Sequence, residues 1–298
     1  MTEVEKLIEG VNKKSRKDFS RLLTRVNTFS DDDKKIIWKS YLEKKSQPKI
    51  LGVTGTPGAG KSTFLNNLLL LNNRIKKRIG LVLIDPASPL DGGAILGDRI
   101  RLSEHFLDET IYIRSISNQG IDDGLPAGFC YTLMIFCLFN FDIVIVETVG
   151  GGQANVVLRE YVDQLILIFD PSSGDDIQHL KSGILSVCDD LVVSKTDIIP
   201  SSQIQNSLEE WSAFNGNVTM ANLLNPDALS SFLNTRVFSS EKKPRKNLIP
   251  TMLKLNLYKE LKAVVDNFSL NYFENKLITE EVIQDYKKNF LEYIFKKY

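Results

Sequence analysis

The apolar positions of this chain change period near residue 49. Before that point they recur at helical spacing: Leu7, Ile8 and Val11, then Phe19, Leu22, Leu23 and Val26. Ser30-Asp31-Asp32-Asp33 supplies an N-cap and an acidic first turn for a further helix through Leu42, and Pro48 stops it. Beyond residue 49, short continuous apolar runs alternate with helical stretches. The runs are Ile50–Thr54, Ile79–Ile84, Ile111–Arg114, Ile143–Val146, Leu165–Phe169, Leu191–Val193 and Val218–Met220. Most lack polar alternation, as strands buried on both faces do, and their separation by helices such as Cys130–Asn140 predicts a parallel sheet with covered faces. After residue 222 the strands cease. A basic, Pro-bracketed connector over 236–250 leads to two helices, about 251–274 and 279–296, with Leu261, Val264, Val265 and Phe268 on a face that needs a partner. The expected architecture is therefore α/β: a mostly parallel sheet covered by helices. It divides into a helical N-terminal extension (1–47), a sheet domain (48–235), and a connector with a C-terminal helical arm (236–298).

Composition narrows the class without naming a function. The 298 residues carry 37 Lys+Arg against 37 Asp+Glu, so no global charge favours nucleic acid or an anionic membrane. The longest apolar run, Leu133 to Phe139, is far below membrane-spanning length, and the charged N-terminus lacks a signal-peptide core. Cys130, Cys137 and Cys188 have neither disulfide nor zinc spacing; Cys130 and Cys137, seven apart on one helix, read as core packing. The expected setting is a reducing cytoplasm. His105 and His179 are solitary and read as surface or packing residues.

The first stretch that carries chemistry is Gly55-Thr56-Pro57-Gly58-Ala59-Gly60-Lys61-Ser62-Thr63, which fits the P-loop pattern between a strand and a helix. Its glycines let successive N–H groups turn toward a phosphate chain, and the following helix presents its positive end to the same group. Lys61 would reach the β/γ-phosphates and Ser62 would ligate Mg²⁺. The fold class sharpens to a P-loop NTPase sheet.

In such sheets ligands gather beyond the carboxyl ends of the strands, so acids there gain interest. Asp85 ends the second run and Glu147 the strand after Cys130–Asn140; both are candidates for the Mg²⁺ site. The glycine-rich loop 91–99 contains Asp98 and could fold over the γ-phosphate as switch loops do. Gly150, Gly151 and Gly152 allow close approach of backbone amides, and Gln153 could orient water. Ser194-Lys195-Thr196-Asp197 follows a buried run. An Asp there can accept from guanine N1–H and the N2 amine together, a pair adenine lacks, while the Lys195 stem lies along the base. GTP is therefore expected over ATP. The stretch 171–176 opens a helix with acids in its first turn, from which Gln178 and Lys181 project.

Taken together, these stretches resemble the MeaB/ArgK family of P-loop GTPases, chaperones of adenosylcobalamin-dependent methylmalonyl-CoA mutase. The most specific text is Gly92-Gly-Ala-Ile-Leu-Gly-Asp98-Arg99 and Glu147-Thr-Val-Gly150, joined by Asp85-Pro-Ala-Ser88, Tyr112-Ile-Arg-Ser115 and Ser173-Gly-Asp-Asp-Ile-Gln178. The resemblance implies a homodimeric GTPase of low intrinsic rate, using GTP/GDP and Mg²⁺, that gates cofactor loading or protection of the mutase. It implies that Lys61, Ser62, Asp85, Asp98 and Glu147 serve nucleotide and Mg²⁺, that Asp197 reads guanine with Ala221, Asn222 and Leu223 nearby, and that Asp175, Gln178 and Lys181 form a third switch toward the mutase. The catalytic candidates are Lys61, Asp98 and Gln153. Against the family pattern, Ser194 replaces an Asn, which implies a looser base loop, and Ala154-Asn155 replaces Ser-Glu.

Three other readings compete. A metal-delivery GTPase needs a His tract or Cys cluster for its cargo. A small-molecule kinase needs an acceptor pocket and a base, for which Asp85 or Asp98 could be cast. A non-hydrolysing scaffold is motivated by Ala154, Asn155 and Ser194. Neither nucleic acid nor membrane is an expected partner.

Overall fold

A computed structural model describes residues 1–85, 102–118, 125–126, 128–148, 154–172, 184–198 and 217–239. They belong to the unit Met1–Arg245. The expected switch loop 91–99 and the helices expected about 251–274 and 279–296 lie outside the described residues.

Seven strands form one sheet: β1 Lys49–Thr54, β2 Ile79–Asp85, β3 Ile111–Ser117, β4 Ile143–Thr148, β5 Gln164–Phe169, β6 Asp190–Val193 and β7 Asn217–Met220. Their order is β3-β2-β4-β1-β5-β6-β7, and each neighbouring pair is parallel. All carboxyl ends therefore share one edge. β1 is central, with β4 and β5 on either side, so the chain leaves β1 where the winding of the sheet reverses, the usual place for a ligand crevice.

Every strand expected from an apolar run is present, and several run further. β3 continues to Ser117 and β4 to Thr148, because their last residues pair in register with β2: Ser115 opposite Leu83, Ser117 opposite Asp85 and Thr148 opposite Ile84. Ladder bonds to a neighbour, not the residues' own propensity, set these ends.

Three helices precede the sheet: α1 Glu3–Asn12, α2 Arg16–Thr24 and α3 Asp31–Glu43. Lys14, in a left-handed conformation (φ 64°), breaks the helical pattern between the first two. The expected cap of α3 forms: Ser30 Oγ accepts from the Asp33 N–H, while the Asp33 carboxylate accepts from the Ser30 N–H. These helices have a defined task. α5, Phe129–Leu138, is buried at every position, Cys130 and Cys137 included. A helix apolar all round needs cover on its outer side. α2 and α3 supply it, with Phe19 at the centre of a ring cluster: centroids lie 4.8 Å from Tyr112, 5.1 Å from Phe136 and 4.3 Å from Phe139.

On the other face, α4 (Lys61–Ile75) lays Phe64, Leu65, Leu68 and Leu69 into a core with Leu51, Val53, Ile166 and Ile168. Leu229, Phe232, Leu233 and Val237 join it from helical turns over 226–237. Arg236 and Val237, expected in the connector, thus continue a helical segment. Their apolar spacing buries Val237, and the Lys49 ammonium donates to Arg236 O at 2.6 Å.

Candidate functional site

The loop after β1 is shaped by its glycines. Gly55, Gly58 and Gly60 all have positive φ (148°, 82° and 100°). At Gly55 a β-carbon would lie 2.2 Å from Ile168 O of β5, so only glycine lets the loop leave the sheet here. At Gly60 it would lie 2.9 Å from Leu223 Cδ1, and Ser194 Cβ is 3.9 Å away. The phosphate loop, the loop after β6 and the loop after β7 therefore converge on Gly60. Pro57 and Gly58 are exposed at the tip, while Thr56, Ala59 and Lys61 are buried.

Gly60 is the cap of α4, so the first turn of that helix begins at Lys61 with its N–H groups at the loop. Lys61 Nζ donates to Gly55 O at 2.8 Å and Thr56 O at 3.0 Å, bracing the cradle across itself. Thr56 Oγ1 is buried with no hydrogen-bond partner among the described residues. Ser62 and Thr63 follow on the first turn, half-buried.

Two buried carboxylates stand on the same edge. Asp85, the last residue of β2, is 2% exposed, and Glu147, next to last in β4, is 4% exposed. Glu147 pairs in register with Val53 of β1 and Leu83 of β2, which sets it between the phosphate-loop strand and the strand bearing Asp85. Ser62, Asp85 and Glu147 are hard oxygen donors of the kind Mg²⁺ takes, so the residues present fit that ion.

The loop after β6 is firmly held. The Ser194 N–H and Oγ both donate to Phe169 O, at 2.8 and 3.0 Å. Ser194, expected to leave this loop looser, thus ties it to β5 twice. Lys195 has φ 56°, and its ammonium pairs with Asp170. The Ile198 N–H donates to Lys195 O at 3.2 Å, closing a turn that displays Asp197 to solvent. In the last loop, the Ala221 N–H donates to Val193 O at 2.9 Å, which extends the β6–β7 ladder by one step. Asn222 Oδ1 accepts from the Leu224 N–H. Asn67 of α4 donates to Leu223 O at 2.7 Å, locking this loop to the phosphate-loop helix.

The structure thus brings together Gly55 to Thr63, Asp85, Glu147, Ser194, Lys195, Asp197 and Ala221 to Leu223 along one sheet edge. Asp98, Gly150, Gln153, Asp175, Gln178 and Lys181 lie outside the described residues. Two residues escaped the sequence reading. Asn67 gave no signal beyond an amide on the buried side of a helix. Asp170 did give one: it is an acid at a strand end, the pattern that singled out Asp85. His105 is buried and hydrogen-bonded to Asn66 at 2.7 Å, and burial pushes its pKa down, as suits a neutral packing histidine. No described helix is long and apolar enough to cross a membrane.

Comparison with known proteins adds a family. The family described as methylmalonyl Co-A mutase-associated GTPase MeaB matches residues 19–225. A Pyrococcus horikoshii relative named as a GTPase is 38% identical over 197 residues, 66% of this chain and 62% of that protein. The match therefore spans about three fifths of that relative's length. The Escherichia coli GTPase ArgK is 40% identical over 148 residues, 49% of this chain and 44% of its own. The mouse mitochondrial methylmalonic aciduria type A homolog is 31% identical over 212 residues, 69% of this chain and 49% of its own. Among solved structures, an LAO/AO transport system kinase superposes with a TM-score of 0.62 at 18% identity, covering 97% of this chain and 98% of that one, which is a likeness of fold.

Proposed function

This chain belongs to the MeaB family of methylmalonyl Co-A mutase-associated GTPases, and from that premise we propose that it binds and hydrolyses GTP to gate the loading or protection of a cobalamin-dependent mutase. The observation that carries the reading is the convergence at Gly60. There a phosphate cradle, a loop displaying an acid to solvent and a capping loop adjoin, with Asp85 and Glu147 on the same edge.

Each part has a task under this reading. The loop amides, the first turn of α4 and Lys61 hold the phosphate chain; Thr56 Oγ1 offers one more group to a phosphate oxygen. Lys61 leaves its two carbonyl partners for phosphate oxygens, exchanging neutral acceptors for charged ones. Ser62, Asp85 and Glu147 would hold Mg²⁺, which when bound neutralises charge on the β- and γ-oxygens. Asp197 accepts from guanine N1–H and N2 together, and the Lys195 stem covers the base face. Asp98 and Gln153 remain the candidates for γ-phosphate contact and for orienting water. Asp175, Gln178 and Lys181 remain those for signalling to the mutase, and a homodimer through the C-terminal arm completes the proposal.

Titration of the purified chain with GDP and ADP, then phosphate release from GTP with and without a methylmalonyl-CoA mutase, tests the reading. Guanine preference and mutase-stimulated release are expected. Equal affinity for the two nucleotides would sink it.

A further inference from the structure

The residue Asp170 directly follows β5 and faces both the base loop and its own turn. It is 3% exposed, and each of its carboxylate oxygens is occupied. Oδ1 accepts from the Ser172 N–H at 2.9 Å and the Ser172 hydroxyl at 2.6 Å, while Oδ2 accepts from Lys195 Nζ at 2.5 Å. The Ser172 bonds close a turn on the Asp side chain and fix the carboxylate's rotation, so Oδ2 is aimed before Lys195 meets it.

Lys195 needs such a holder. Its left-handed φ of 56° is a conformation that L residues adopt at a cost. Its carbonyl closes the turn carrying Asp197 through the Ile198 N–H, so wherever Lys195 sits, Asp197 follows. The preceding residue, Ser194, is tied to Phe169, the neighbour of Asp170. Two consecutive residues of β5 and its end thus hold two consecutive residues of the base loop.

We infer that Asp170 is a specificity-determining positioning residue, which through Lys195 sets the placement of Asp197 for guanine. It does not touch the base. The inference rests on the GTPase reading above. Two parallel hydrogen bonds from guanine to one carboxylate demand tight placement of that carboxylate, whereas phosphate binding at the loop after β1 does not depend on it. Loosening Asp170 therefore weakens base recognition and spares phosphate recognition.

The test is fluorescence titration of the full chain with labelled GDP and labelled ADP, for wild type, Asp170→Asn and Ser172→Ala, alongside thermal melting without nucleotide. Asp170→Asn keeps the shape and removes the charge. Its Kd for GDP is expected to rise about tenfold, the low end for a charge-assisted hydrogen bond. Its Kd for ADP stays within about twofold of wild type, because adenine lacks the paired donors that Asp197 accepts and so does not depend on its placement. Ser172→Ala shifts the ratio in the same direction and by less. Wild-type GDP affinity in Asp170→Asn, or equal losses for GDP and ADP, overturns the inference. Should Asp170→Asn fail to fold, an unchanged GDP/ADP ratio in Ser172→Ala overturns it instead. A wild-type chain that does not prefer GDP rejects the GTPase reading itself, and is told apart because no variant is involved.

Discussion

Thr148 of β4 donates its hydroxyl hydrogen to Thr54 of β1 across 3.1 Å, and both side chains are buried. The bond joins the root of the phosphate loop to the strand end that bears Glu147, so cradle and acid move as one piece. Thr148→Val keeps the volume and removes the donor. A loss of about 1 kcal/mol in unfolding free energy is expected. GDP affinity should weaken more with Mg²⁺ present than with it chelated, as read by denaturant melts and paired titrations.

Lys61→Ala removes the ammonium that braces the cradle. That ammonium donates to the main-chain carbonyls of Gly55 and Thr56, so the fold loses a brace across the loop. Nucleotide affinity is expected to fall by about 2–3 kcal/mol, roughly 30- to 150-fold, with GTP hydrolysis falling further. Isothermal titration against GDP, with circular dichroism as the check on folding, measures both.

Phe19→Ala probes whether the N-terminal helices are part of the sheet's core. Phe19 is fully buried against Tyr112, Phe136, Phe139 and Phe141. The variant is expected to cost about 3–5 kcal/mol. A loss below about 1 kcal/mol would show that α2 rests loosely on the sheet.

Acid titration should reveal Asp170. Burial works against its charge, but hydrogen bonds from Lys195 and Ser172 outweigh that and hold its carboxyl below the usual carboxylate range. A carboxyl lowered by folding contributes stability that is fully present above its unfolded pKa and is lost as pH falls through the lowered native one. Wild type and Asp170→Asn should therefore show a constant stability difference from pH 7 to about pH 5, narrowing below about pH 4. Urea melts across this range give the difference directly.

How much of this was legible from the residues alone follows from what decides each feature. Buried parallel strands are continuous apolar runs, so Ile50–Thr54 and Ile79–Ile84 announced themselves within a residue of their ends. Ser115 to Ser117 did not, since they are strand only because β2 lies beside them in register. The positions of Asp85 and Glu147 were readable because each lies at the carboxyl end of a buried apolar run, and that of Lys61 because it opens the helix after the glycine loop. The ties that hold the base loop were not. Ser194 to Phe169, Lys195 to Asp170 and Asn67 to Leu223 join residues 25 or 156 positions apart, and no local pattern reports such pairs. The left-handed Lys195 is equally hidden, because nothing in a lysine requires positive φ.

The central place of β1 has a consequence for how the chain comes to be folded during synthesis. This strand emerges before its neighbours, and its flanking bonds reach residues 94 and 113 positions downstream, in β4 and in the turn before β5. Until those strands leave the ribosome, the apolar run Ile50–Val53 has no sheet to enter, and the phosphate loop has no wall behind Gly55. Under the GTPase reading, nucleotide affinity therefore arises only once β4 and β5 have paired with β1. In the interval β1 is an exposed, pairing-competent segment that chaperones would be expected to shield.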